Sequence, residues 1–103
     1  MDAQLEINPK VKQAVPFFAV GDINRSLDFY IDGLQFEITH KWMDQGKLRW
    51  CRLQLGGAAV MLQEYKKQGN DSWNPEGKVG IGVSIYFICD DALAIYRQAK
   101  ALQ

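Results

Sequence analysis

Few side chains in this 103-residue chain are equipped for covalent or metal chemistry. There is one histidine, His40, and two cysteines, Cys51 and Cys89, neither in a CxxC pair. Both cysteines lie in strand-like segments and read as small buried hydrophobes in a reducing compartment. No Ser–His–Asp or Cys–His arrangement carries a local signature. The glycine-containing stretches GGAAV and GNDSW lack the spacing of a phosphate loop. Asp71 and Glu76 read as solvated loop charges, and Asp90 and Asp91 as helix caps sooner than as an acid–base pair. The chemistry left is that of recognition, carried by a set of aromatic and polar residues between Thr39 and Tyr65.

The elements that must position this set are read from local pattern. Ala14 to Val20 is a compact apolar run containing Pro16, tolerable near a strand start or on an edge. Asp22 is placed to cap a helix whose apolar stripe is Ile23, Leu27, Tyr30 and Leu34, with Gly33 as its left-handed stop. Three strands are expected next, over 36–43, 48–55 and 58–65, joined by tight turns at Gln45–Gly46 and Gly56–Gly57. Those turns set Met43 opposite Leu48, Lys41 opposite Trp50 and Thr39 opposite Arg52. The second turn sets Arg52 opposite Met61 and Trp50 opposite Gln63.

Alternation then sorts the meander into two faces. Phe36, Ile38, Leu53, Leu55, Val60 and Leu62 form an apolar face fit to lie under a helix. Thr39, Lys41, Trp50, Arg52, Gln54, Met61, Gln63 and Tyr65 form the other, and His40 falls on the core side opposite Cys51. The mixed face has the character of a small-molecule cleft, or equally of a plain solvent-facing sheet. Arg52 suits an anionic group there, with pairing to Glu37 as the competing reading. The polar loop 66–81 carries Trp73, which either closes over a ligand or pins the loop to the body.

Composition excludes several function classes. Twelve basic residues balance twelve acidic ones, so no global field favours nucleic acid or an anionic membrane. No apolar run approaches the roughly 20 residues that span a bilayer. The start, MDAQLEINPKVK, lacks the pattern of a signal peptide, and a cytoplasmic protein is expected. The 48% hydrophobic content is that of an ordinary globular domain.

A weaker copy of the opening strand–helix unit returns 69 positions later, at Ser84 to Tyr96: Phe18 matches Phe87, Asp22 matches Asp91, and Phe17 meets Tyr86. The segments PFFAVGDINRSLDFYIDGLQF, LQLGGAAVMLQE and GVSIYFICDDALAIYRQAKAL together resemble the vicinal oxygen chelate superfamily of glyoxalases, bleomycin-resistance proteins and dioxygenases. The resemblance implies an α+β fold of paired βαβββ modules, with the second module truncated after its helix. In those terms residues 1–13 are a polar lead-in, 14–65 the first module, 66–81 a loop and 82–103 the βα start of the second. By the repeat, a whole second module would run about 30 residues past Gln103.

The resemblance also assigns the mixed face to a ligand cleft. It adds Phe17, Ser84 and Tyr86 to Thr39, Trp50, Arg52, Gln54, Met61, Gln63 and Tyr65 as ligand-binding residues. Metal-dependent relatives place their ligands at positions that correspond here to Val15, Gln63 and Ser84, which are poor donors to a divalent ion. Glu64, one residue along, would point to the helix side. The expectation is therefore a metal-independent, non-enzymatic binder of a small organic ligand, with no catalytic residues and no cofactor. A homodimer, with modules exchanged or paired across chains, would cover the open second half. The alternatives are a metal-dependent lyase, isomerase or dioxygenase completed by further residues or by a partner chain, and a degenerate, non-catalytic half-domain.

Overall fold

The computed structural model describes residues 10–66, 68–69, 72–73 and 75–102. Four strands form one mixed sheet: β1 (Phe17–Val20), β2 (Glu37–Asp44), β3 (Lys47–Leu55) and β4 (Ala58–Glu64), in the order β1-β4-β3-β2. Between β1 and β2 runs helix α1 (Ile23–Leu27), which widens directly into a π-helical stretch over Asp28–Gly33. A second helix, α2 (Ala92–Ala101), ends the described chain. This is an α+β architecture built on a βαβββ unit.

The crossover through α1 lets β1 run parallel to β4, with Phe17 level with Met61 and Ala19 with Gln63. The β2–β3–β4 meander is antiparallel. Gln45 (φ 52) and Gly46 (φ 78) make the first turn with two left-handed residues, the geometry that matches strand twist in a two-residue hairpin.

Asp22 caps α1 as its sequence suggests, its Oδ1 accepting from the Arg25 N–H at 3.2 Å. The helix exit differs from expectation. Gly33 is not left-handed; the positive φ falls on Gln35 (φ 70), two residues later. The π turns carry the chain past the glycine, with Leu34 N–H donating to Phe29 O and Phe36 N–H to Tyr30 O.

One face of the sheet packs against the helix. Ile23, Phe36, Cys51, Leu53, Val60 and Leu62 are buried together, and Phe18, Val20, Leu27, Tyr30, Ile31, Leu34 and Leu48 pack around them. Tyr30 and Phe36 meet edge to face at 5.5 Å between ring centres. Ile38 and Leu55, expected on this face, are left partly exposed at its rim.

The β3–β4 register is the expected one, with Arg52 opposite Met61 and Trp50 opposite Gln63. The β2–β3 register is not, apart from Met43 opposite Leu48. It is broken twice: His40, not Thr39, lies opposite Arg52, and Trp42, not Lys41, lies opposite Trp50. Each break inserts one extra residue, Thr39 on β2 and Arg49 on β3, and an extra residue reverses the face of the residues beyond it. His40 and Trp42 therefore join the row of Arg52 and Trp50, and Lys41 moves to the row of Cys51.

The strand expected around Ser84 does not form. Residues 83–89 pair with no strand among the described residues, and Tyr86 and Ile88 are 85% and 97% exposed. Phe87 reaches the first unit, its ring 5.6 Å from that of Phe36.

Candidate functional site

The face of the sheet opposite the helix gathers the site. Phe17 and Ala19 come from β1, Met61 and Gln63 from β4, Trp50, Arg52 and Gln54 from β3, and Trp42, His40 and Thr39 from β2. Tyr65 continues the β4 row, its N–H donating to Val20 O at 3.0 Å. A Cβ on Gly21 would come within 2.9 Å of the Tyr65 hydroxyl, so the turn between β1 and α1 needs glycine for this tyrosine to lie where it does. Trp73 stands edge-on to Tyr65 with 4.8 Å between ring centres, and its N–H donates to Lys66 O. Trp73 thus ties its loop to the rim of the site.

Two open depressions lie on the sheet. The first, of about 390 Å³, is lined chiefly by Phe17, Ala19, Trp42, Gln63 and Tyr65, with Arg49 and Glu64 at its end. The second, of about 430 Å³, lies toward the other end, between Glu37, Thr39, Gln54 and Gly56. Phe17 and Trp42, which line the first depression, are 51% and 54% exposed.

Arg52 lies in the row between the two depressions. One of its terminal nitrogens, Nη1, donates to Thr39 Oγ1 at 3.0 Å and to Gln54 Oε1 at 2.8 Å, and Nη2 donates to Gln13 Oε1 at 3.0 Å. Thr39 in turn donates to Arg52 O, and His40 Nδ1 lies 3.0 Å from the same hydroxyl. No carboxylate among the described residues pairs with Arg52, Glu37 included.

Arg49 has the opposite surroundings. Its Nη1 donates to Glu64 Oε1 at 2.9 Å, and both side chains are largely covered. The other Glu64 oxygen accepts the Ile23 N–H at 3.0 Å, so one carboxylate holds both the start of α1 and the extra residue of β3. Glu64 does point to the helix side, and its two oxygens are both engaged there.

Of the residues singled out from sequence, Phe17, Gln63 and Tyr65 meet at the first depression, and Thr39 and Gln54 at the second. Trp50, Arg52 and Met61 occupy the rows between them. Ser84 and Tyr86 lie on the unpaired C-terminal segment and line neither depression. Trp42 was missed, because strict alternation puts it on the core side. Gln13, in the polar lead-in, carried no sequence signal at all.

Val15, Gln63 and Ser84 stand where the resemblance assigns ligands, and Glu64 is committed to a backbone N–H and an arginine. Among the described residues no group of three or more His, Cys, Asp or Glu converges. No helix among them is long and apolar enough to cross a membrane.

Known proteins supply a family for this geometry. No curated protein sequence matches the chain. Among solved structures, the crystal structure of TioX from Micromonospora sp. ML1 superposes with a TM-score of 0.57 at 16% identity, covering 88% of this chain and 72% of that one. That likeness is one of fold. The model of the Glyoxalase/Bleomycin resistance protein/Dioxygenase superfamily matches residues 11–103, and with its βαβββ unit in place the chain belongs to that superfamily.

Proposed function

We propose that the chain binds a small planar or amphipathic organic molecule on the helix-free face of its sheet, holding it without a metal ion and without converting it. The observation that carries this reading is the pair of exposed rings, Phe17 and Trp42, set around a depression of about 390 Å³ with Gln63 and Tyr65. Aromatic surface with a few fixed polar groups stacks and orients a ligand. The neutral residues Val15, Gln63 and Ser84 favour metal-free binding over the lyase, isomerase or dioxygenase reading.

The ligand would be covered by a second copy of the chain. Among the described residues the outer edge of β1 pairs with no strand, and apolar side chains of the segment 83–88 are exposed, so a homodimer with exchanged or cross-paired modules would bury both. We place the protein in the cytoplasm, where Cys51 and Cys89 remain thiols.

Titration with a panel of small planar aromatic compounds, followed by amide and tryptophan indole NMR shifts, tests the reading. The expected result is saturable shifts at Phe17, Trp42, Gln63 and Tyr65. Stoichiometric zinc, nickel, manganese or iron in the purified protein would overturn the metal-free part, and an absence of shifts on this face would overturn the binding part.

A further inference from the structure

The two arginines of β3 differ in one respect that a ligand could exploit. Arg49 has its counter-charge in Glu64. Arg52, half-buried, holds its charge against three neutral oxygens, of Thr39, Gln54 and Gln13. Two of these contacts come from within the sheet and fix the guanidinium plane through Nη1. The third is different in kind. Gln13 lies upstream of β1, is exposed, and reaches Nη2 only through the end of its side chain.

We propose that Arg52 is the subsite for the carboxylate of a small aromatic acid, and that the Gln13 amide oxygen is a neutral stand-in which the carboxylate displaces. The assignment rests on the binding reading above and narrows its ligand class. A carboxylate taking the Nε and Nη2 edge makes two parallel bonds between opposite charges, where the amide oxygen makes one bond and carries no charge. The Nη1 bonds to Thr39 and Gln54 survive the exchange and keep the fork oriented. The ring of such an acid would lie along the row that Arg52 shares with Met61 and Phe17, with Trp50 adjacent. Glu37, one row away opposite Gln54, is the nearest opposing charge in register; it weakens the site without filling it.

The test compares benzoate with benzamide, the same ring without the charge, at constant ionic strength, following the Arg52 Nε–H and Gln13 side-chain resonances. Benzoate is expected to shift both and to bind at least tenfold more tightly than benzamide. Gln13→Ala, which removes the stand-in, should tighten benzoate. Gln13→Glu, which supplies an internal carboxylate, should weaken it at least tenfold while leaving benzamide unchanged. Arg52→Gln should erase the preference for the acid, and an unaltered amide spectrum elsewhere would show that the variant is folded. Equal binding of the two probes, or an indifferent Gln13→Glu, overturns the carboxylate subsite and leaves the aromatic binding face standing. If neither probe shifts any residue of the face, both readings fall together.

Discussion

The unit from β1 to β4 and the segment from Val83 to Leu102 begin from similar sequence and end in different states. Each opens with a short apolar run, continues to an aspartate and enters an amphipathic helix. In both the aspartate caps its helix, Asp22 through Arg25 N–H and Asp91 through Ala94 N–H. There the likeness stops. Phe17–Val20 is a strand because β4 lies beside it and takes its hydrogen bonds. Residues 83–89 have no such row among the described residues, and their side chains remain exposed. Capping is local, so both copies achieve it; a strand exists only with a neighbour.

The sharpest way to break this comparison is to remove an aliphatic side chain from each region. Leu53→Ala deletes a fully buried residue of the sheet and should cost about 2–5 kcal/mol. Ile88→Ala, at 97% exposed, should change stability by no more than about 0.5 kcal/mol in a monomer. Urea unfolding of the two variants checks this. Comparable losses would mean that the C-terminal segment packs in solution, as the proposed dimer requires.

A middle-sized effect is expected at Glu64. Glu64→Ala strands the Arg49 guanidinium, whose Nε is already buried without a partner, and frees the Ile23 N–H. The loss should be about 1–3 kcal/mol, with faster hydrogen exchange at the start of α1. Unchanged exchange at Ile23 would refute the role assigned to this carboxylate.

The smallest effect contrasts the two thiols. Burial raises the Cys51 thiol above its ordinary 9.0, with the Leu62 backbone contact pulling weakly the other way; burial also raises the Tyr30 phenol above 10.0. Both groups are neutral in the fold and ionise more easily when unfolded. Their contribution is therefore intact below pH 9 and is lost as pH rises through each folded value. Denaturant midpoints should fall as pH rises above 9, less steeply in Cys51→Ala. At neutral pH a thiol reagent should modify exposed Cys89 promptly and Cys51 only on opening.

Much of the first unit was legible because its signals are short-range. Asp22 before an apolar stripe, Gln45–Gly46, Gly56–Gly57 and the alternation of β3 and β4 each depend on neighbouring residues, and each appears where expected. The errors share one origin. Thr39 and Arg49 are extra residues in a ladder, and whether a residue pairs or bulges depends on the strand across from it. That decision moved Trp42 and His40 onto the helix-free face and Lys41 off it. The helix end shows the same dependence: packing of Tyr30 against Phe36 accompanies the π turns, and the left-handed residue is Gln35, not Gly33.

The candidate site divides along the same line. Sequence by itself settled the residue types and the rows of β3 and β4. It could not settle what surrounds a charge. Arg49 and Arg52 are three positions apart on one strand, yet only the fold gives Glu64 to the first and leaves the second to Thr39, Gln54 and a glutamine 39 residues upstream. The physical reason is range: side-chain type and strand period are properties of a few adjacent residues, whereas a counter-ion is a property of whatever the tertiary structure brings within about 3 Å.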